Sequence, residues 1–274
     1  MYFPSPYGKV VALDADTGKE LWTYQMPQRD QASTRGVQYW PGTQGAKPEI
    51  VFGTRSGKLI ALDAATGAPV PTFGTAGIVN MKTPEVMNGN PLSQYGMSGP
   101  PAIYGYLIIT GSRVQETPSL GAKGDVRAWD ARTGALVWTF HTVPQPGEPG
   151  HETWEGDSWK HRSGVNVWTQ VVVDAKRVIA YLPVAAPAFY RWGHNHVRQA
   201  SEVDGVVAPQ VNDDCSAATL VGFHAEPLLI EWVGDRSVGQ RGGLSQGAIE
   251  GGVERVEQAQ PARVLRHWAT KQAA

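Results

Sequence analysis

A short segment that occurs three times constrains the fold of this chain more than any other feature. The copies read ALDADTGKELW from Ala12 to Trp22, ALDAATGAPVP from Ala61 to Pro71 and AWDARTGALVW from Ala128 to Trp138. In each copy an apolar strand ends at an Asp whose carboxylate can accept backbone N–H groups of the next turn, and a Gly supplies the positive φ that the turn requires. Three such copies predict a structure assembled from repeated units.

The spacing of the copies indicates which repeated unit this is. They begin 49 and 67 residues apart, near or above the ~40 to 50 residues of a propeller blade. The runs between them are short and rich in Val and Ile, with Gly or Asp turns and no 3.6-residue period, as in antiparallel strands. We therefore predict an all-β fold, a β-propeller of four-stranded antiparallel blades with Trp22 and Trp138 buried between blades. Pro71 replaces Trp in the second copy, so the second blade should lack the tryptophan contact.

Composition and charge exclude several classes of protein. The net charge of the 274 residues is −1, without the basic surplus that nucleic-acid binding requires. No run of ~18 apolar residues predicts a transmembrane helix, and the N-terminus lacks the basic and apolar regions of a signal peptide. A single cysteine, Cys215, excludes an internal disulfide framework. We expect no nucleic-acid partner, no membrane span and no secretory signal in this chain.

Four longer segments carry a more specific pattern than the repeat. They are STRGVQYWPG (33–42), MSGPPAIYGYLIITGSRVQE (97–116), GDVRAWDARTGALVWTFHTVPQPGEPGHETWEGDSWK (124–160) and GVNVWTQVVVD (164–174). Together with the repeat they resemble the quinoprotein dehydrogenases, which are alcohol and sugar dehydrogenases dependent on pyrroloquinoline quinone (PQQ), and most of all the glucose-dehydrogenase-like branch. The resemblance covers roughly residues 1–192 and implies about half of an eight-bladed propeller, with PQQ and Ca²⁺ as cofactors.

The resemblance implies cofactor-binding roles for four residues. Arg35 matches an arginine that pairs with a carboxylate of PQQ, a task suited to a guanidinium fork. Ser98 matches a hydroxyl that hydrogen-bonds PQQ, and Trp168 matches a tryptophan that stacks under the quinone ring. Glu116 matches the carboxylate that ligates Ca²⁺. Without the resemblance, Arg35 would be interpreted as part of a rim ion pair and Ser98 as a turn residue. Trp168 would be interpreted as a core tryptophan and Glu116 as a solvated loop charge.

The chain also departs from the family pattern. Ser33 and Thr34 stand where many relatives have a vicinal cysteine pair, so that disulfide cannot form. Ala186 stands where the methanol-oxidising branch has a side-chain Ca²⁺ ligand, which favours the sugar or broad-alcohol branch. In relatives the catalytic Asp follows in an H-D-x-W-D stretch, and residues 193–274 contain no such stretch. The catalytic residues stay unknown, and we expect no substantial PQQ-dependent turnover by this chain.

The composition changes abruptly after residue 192. Residues 193–274 contain three aromatic residues, against 22 in residues 1–192, and are rich in Gly, Ala and Arg. We therefore divide the chain into a propeller segment, 1–192, and a divergent tail, 193–274, expected to be irregular. The tail is interpreted as a frameshift product of GC-rich DNA or as a genuine Gly-rich extension, partly disordered.

The function that the resemblance implies is that of a quinoprotein dehydrogenase-like fragment. Its substrate would be a small sugar or alcohol, its electron acceptor ubiquinone or a cytochrome, and its location the periplasm. Two alternatives stay open on the sequence. One is a non-catalytic propeller scaffold, as in outer-membrane assembly, and the other is a non-functional, truncated gene product.

Overall fold

The strands follow one another along the chain as a series of antiparallel sheets. A computed structural model describes residues 1–27, 30–43, 45–185, 219–224 and 229–233. Every strand pair in these ranges is antiparallel, and helical structure is limited to short turns. The all-β prediction is therefore confirmed. Within the same ranges, no helix is long and apolar enough to cross a membrane.

Four sheets form the blades, numbered here in chain order. Blade 1 contains β1 (Tyr2–Ser5), β2 (Lys9–Leu13) and β3 (Glu20–Gln25). Blade 2 contains β4 (Gln38–Trp40), β5 (Glu49–Gly53), β6 (Lys58–Asp63) and β7 (Ile78–Asn80). Blade 3 contains β9 (Ala102–Tyr104), β10 (Leu107–Thr110), β12 (Val126–Asp130) and β13 (Leu136–Phe140). Blade 4 contains β14 (Val172–Asp174), β15 (Ile179–Leu182), β16 (Thr219–His224) and β17 (Leu229–Val233).

The remaining elements are short and lie between blades. A two-stranded ribbon pairs β8 (Tyr95–Gly96) with β11 (Arg113–Val114). One helical turn, α1 (Pro84–Met87), begins at Thr83, whose hydroxyl accepts the Val86 N–H. Two 3₁₀ turns occupy His151–Thr153 and Ser158–His161. Blades 2, 3 and 4 have the predicted four strands, and blade 1 has three.

Two segments of the C-terminal tail belong to blade 4, which corrects the expectation of an irregular tail at those positions. β16 pairs with β15, and β17 pairs with β16. The sequences T-L-V-G-F-H and L-I-E-W-V are short apolar runs of the kind that extends a sheet. Residues 186–218, 225–228 and 234–274 lie outside the described residues, so the boundary at 192 and the assignments to Ala186 and the rest of the tail stay predictions.

The hydrophobic cores lie between neighbouring blades. Val10 and Trp22 of blade 1 pack with Ile50 and Phe52 of blade 2. Equivalent clusters join blade 2 to blade 3 and blade 3 to blade 4. Because blades 2 and 3 each bury both faces against a neighbour, their inner strands have nearly continuous apolar sequences rather than alternating ones.

The repeated turn makes the hydrogen bonds that its sequence predicts. Asp14 Oδ1 accepts the Thr17 N–H at 2.8 Å and the Thr17 hydroxyl at 2.7 Å. Asp63 Oδ1 accepts the same two groups of Thr66 at 3.0 and 3.1 Å. The hydrogen bonds from Thr17 hold the pKa of Asp14 below its usual value. The Asp side chain therefore caps its own turn. These hydrogen bonds do not connect one blade to the next.

Trp22 docks blade 1 onto the repeat of blade 2. Its side chain is 8% exposed, and its Nε1 donates to the Ala64 carbonyl at 3.0 Å. The indole lies on Gly67, where a Cβ would stand 2.5 Å from the ring. The prediction is confirmed for Trp22. Trp138 is only half-buried against the cluster between blades 3 and 4, so the prediction that it is buried is wrong.

Blade 2 docks onto blade 3 without a tryptophan at position 71, as predicted. The Gly74 N–H donates to the Thr133 carbonyl at 2.8 Å. The Val79 side chain lies against Gly134, where a Cβ would stand 2.6 Å from Val79 Cγ2. A backbone hydrogen bond and a valine therefore replace the indole contact in this interface.

Glu49 is a buried carboxyl whose ionisation opposes folding. It is 3% exposed, and its Oε2 has no hydrogen-bond partner. Burial, together with the charge of Asp63, raises the pKa of Glu49 to about 7. Because the folded pKa exceeds the unfolded value of ~4.3, stability is highest below that value and falls as the pH rises through about 7.

We therefore expect Glu49→Gln to stabilise the protein by about 2 kcal/mol at pH 8 and to have little effect at pH 4.5. The amide resembles the protonated acid and carries no charge to bury. Urea denaturation of wild type and variant at the two pH values measures the difference. An equal effect at both values would show that the carboxyl is not neutral in the folded protein.

Candidate functional site

Three segments that lead into blades 2, 3 and 4 meet through side-chain hydrogen bonds. The Ser33 hydroxyl donates to the Ser98 carbonyl at 2.6 Å. The Ser98 hydroxyl donates in turn to the Trp168 carbonyl at 2.5 Å. Arg35 Nη1 donates to the same carbonyl at 3.1 Å. Residues separated by 65 to 133 positions in the sequence are therefore joined at one place.

The Arg35 guanidinium lies over the indole of Trp168. Its Cζ is 4.7 Å from the ring centroid, a cation–π contact. The Trp168 side chain is 45% exposed, and Arg35 is exposed as well. The pair presents a flat aromatic face and a planar cation to solvent, which together suit a planar anionic ligand.

Close backbone contacts fix the segment that carries Trp168. Three glycines, in the segment leading into blade 3 and in the blade itself, face alternate carbonyl groups of residues 165–169. A Cβ at Gly99, Gly111 or Gly124 would lie 2.3, 2.1 or 2.1 Å from these carbonyl oxygens, closer than real side chains approach. The Asn166 amide also donates to the Ser112 carbonyl at 2.7 Å. The backbone beside Trp168 is therefore held rigidly while the indole stays exposed.

A small cleft adjoins the same segments and contains an unpaired hydroxyl. Ser112 is 1% exposed, and its Oγ has no hydrogen-bond partner. Buried polar groups normally have one, and the cleft beside Ser112 is too narrow to admit a water molecule. The cleft is lined by Met97, Ser98, Gly99, Pro100, Gly111, Ser112, Val167 and Thr169.

The structure brings together three of the four residues singled out in the sequence. Arg35, Ser98 and Trp168 share the hydrogen-bond network. Glu116 does not join it: it is exposed and follows β11 by two residues. In the part of the chain that the structure describes, no group of three or more His, Cys, Asp or Glu side chains could hold a metal ion. The assignment of Glu116 as a Ca²⁺ ligand stays a prediction.

Ser33 is the residue of this network that sequence reasoning missed as a site residue. It is fully buried, and its hydroxyl links the segment leading into blade 2 to the segment leading into blade 3. In the sequence it stood out only as a replacement for a cysteine. No local pattern identifies its partner, because the Ser98 carbonyl lies 65 positions away.

Comparison with known proteins places the chain among relatives of one kind. The family described as "PQQ: Glucose/ethanol/alcohol dehydrogenase, beta-propeller domain" matches residues 1–213. The dehydrogenase subunit of the quinone alcohol dehydrogenase of Gluconobacter oxydans is 35% identical over 67% of this chain and 25% of its own length. The quinate/shikimate dehydrogenase (quinone) of Acinetobacter baylyi is 30% identical over 71% of this chain and 26% of its own length. The chain thus spans about a quarter of these relatives.

Solved structures show the same fold. The quinohemoprotein alcohol dehydrogenase of Comamonas testosteroni superposes with a TM-score of 0.60, at 24% identity, over 85% of this chain and 32% of its own. The quinohemoprotein alcohol dehydrogenase ADHIIG of Pseudomonas putida superposes with a TM-score of 0.54, at 27% identity, over 69% of this chain and 27% of its own. In both superpositions this chain corresponds to only a part of the larger protein.

Proposed function

Because the chain belongs to the PQQ-dependent glucose/ethanol/alcohol dehydrogenase β-propeller family, we propose that Arg35, Ser98 and Trp168 form part of a binding site for PQQ. The observation that carries the proposal is the Arg35 guanidinium stacked on an exposed indole, with the Ser98 hydroxyl bonded to the same residue. PQQ, when bound, accepts two electrons from the substrate carbon that carries the hydroxyl.

The chemistry of these residues fits a planar, carboxylate-bearing ligand. The indole offers a rigid π-face for stacking. The guanidinium fork can pair with a carboxylate through two parallel hydrogen bonds. A ligand that stacks on the exposed indole would meet the Arg35 guanidinium beside it.

Calcium would use Glu116 as a carboxylate ligand, since Ca²⁺ takes oxygen donors. In the described residues no group of three or more His, Cys, Asp or Glu side chains could hold the ion, so Glu116 would share it with other oxygen donors such as carbonyl groups and water.

The substrate would be an alcohol or a sugar oxidised at a CH–OH group. The relatives of this chain include alcohol, quinate/shikimate and glucose dehydrogenases. The electrons would pass to ubiquinone or a cytochrome, and the protein would act in the periplasm. The non-catalytic scaffold is less well supported, because the dehydrogenase family matches residues 1–213 as a whole.

Titration of the full chain with PQQ tests the proposal. We expect calorimetry to give saturable binding, strengthened by CaCl₂, and PQQ to quench tryptophan fluorescence in parallel. In Trp168→Phe the quenching should decrease and the affinity should fall about 2- to 4-fold, since the smaller phenyl ring keeps part of the ~1 kcal/mol that ring stacking contributes. Trp138→Phe, which alters a half-buried indole elsewhere, is the control. Non-saturable quenching, or equal responses of the two variants, would overturn the proposal and favour a scaffold.

A further inference from the structure

Ser33 is the point at which the segment leading into blade 2 passes from the core to the surface. Ala32 and Ser33 are 3% and 0% exposed, whereas Thr34 and Arg35 are exposed. The Ser33 N–H donates to the Gly53 carbonyl at 2.9 Å, which anchors the residue to β5. Ser33 is therefore the last fixed residue before the Arg35 side chain.

The hydroxyl of Ser33 closes a circuit of hydrogen bonds. It accepts the Arg35 backbone N–H at 3.4 Å and donates to the Ser98 carbonyl at 2.6 Å. The Ser98 hydroxyl continues to the Trp168 carbonyl, and the Arg35 side chain returns to that same carbonyl. All three residues assigned to the cofactor thus belong to one closed set of contacts that includes Ser33.

A buried hydroxyl that bonds across 65 sequence positions fixes the separation of two segments, and leaving its partner unpaired is costly. Thr34 and Arg35 are exposed, and the Arg35 side chain reaches Trp168 from a backbone that the Ser33 hydroxyl bonds. If the Ser33 hydroxyl is removed, the Ser98 carbonyl loses a donor and the Arg35 N–H loses an acceptor. The Arg35 guanidinium would then no longer be held at a fixed distance from the Ser98 hydroxyl.

We propose that Ser33 is a positioning residue that holds Arg35 and Ser98 in the arrangement required for binding the quinone, although it touches no ligand itself. The expected effect of Ser33 on PQQ binding rests on the proposed function. Its structural content, the dependence of the Arg35–Trp168 contact on the Ser33 hydroxyl, can be measured without the cofactor.

The first experiment compares PQQ affinity by calorimetry. Ser33→Ala should weaken binding about 3- to 10-fold, the range expected for one buried hydrogen bond. Ser33→Cys, nearly equal in size but a weak donor, should fall between Ser33→Ala and wild type and controls for a cavity. Ser93→Ala removes another buried hydroxyl, which accepts the Ala122 N–H at 2.8 Å, and should bind as wild type does. Equal affinities for wild type and Ser33→Ala would overturn the proposal.

The second experiment uses cofactor-free protein labelled with 5-fluorotryptophan. The ¹⁹F resonance of Trp168, assigned by its loss in Trp168→Phe, should shift or broaden in Ser33→Ala and stay unchanged in Ser93→Ala. An unchanged Trp168 resonance in Ser33→Ala would refute the positioning role even where PQQ binds. If the resonance moves but wild type binds no PQQ, the proposed function fails while the positioning of Arg35 by Ser33 stands.

Discussion

Arg35→Gln is expected to weaken PQQ binding by the full chain about 10- to 100-fold. A hydrogen bond to a charged group contributes about 1.5–3 kcal/mol, and a glutamine offers neither the charge nor the fork that pairs with a carboxylate. The loss should exceed that of Ser33→Ala, because Arg35 itself would touch the ligand. Calorimetric titration with PQQ, at fixed Ca²⁺ concentration, measures the change.

Two further variants make the result specific to the site. Arg35→Lys keeps the charge without the planar fork and should lose affinity by an intermediate factor. Arg132 lies over Tyr106 at 4.9 Å and pairs with Asp130 on the repeat turn of blade 3. Arg132→Gln therefore removes the same kind of cation–π contact away from the site and should bind PQQ normally. Wild-type affinity in Arg35→Gln would show that the role implied by the family does not apply here.

Trp22→Ala should lower the free energy of unfolding by about 3–5 kcal/mol, the usual range for truncating a buried aromatic side chain. The indole fills the interface between blades 1 and 2, where it rests on Gly67 and donates to the Ala64 carbonyl. Its removal leaves a cavity opposite a glycine, which has no side chain to fill it. Urea denaturation followed by far-ultraviolet circular dichroism gives the change.

The repeat provides a comparison within the same molecule. Trp138 occupies the equivalent position in the third copy but is half-buried, so Trp138→Ala should cost about 1–2 kcal/mol. Trp22→Phe keeps most of the ring and should cost less than Trp22→Ala. If Trp138→Ala were as destabilising as Trp22→Ala, the docking of indole on a repeat glycine would not be the source of the effect.

Blade docking and the candidate site depend on each other through the backbone. The segments that lead into blades 2, 3 and 4 also contain the residues of the site. Ser33 and Arg35 precede β4, Ser98 precedes β9, and Trp168 precedes β14. A change in blade separation therefore changes the distances between these side chains. The three glycines that face residues 165–169 extend this coupling to blade 3, because each of them sets how closely the backbone of Trp168 can approach.

The sequence alone determined the repeating unit and its strand arrangement, because turn chemistry is local. An Asp, a Thr and a Gly within a few residues specify a turn whose Asp carboxylate accepts a backbone N–H in every copy, and a Trp at a fixed offset predicts the blade contact of Trp22. The resemblance to a family predicted Arg35, Ser98 and Trp168 as site residues. The fold brings them together in space. Each comes from a different blade entry, so no spacing along the chain encodes the distances between them.

Only the tertiary structure showed how the interfaces and the site are completed. The Ser33 hydroxyl finds its partner 65 positions away, and Gly74 and Val79 replace the missing indole at Pro71 through contacts with another copy of the repeat. The two strands β16 and β17 join blade 4 although their surroundings in the sequence resemble no blade. The partners of Ser33, Gly74 and β16 are distant in the chain, and such contacts are defined by the packing of strands and blades rather than by the local pattern.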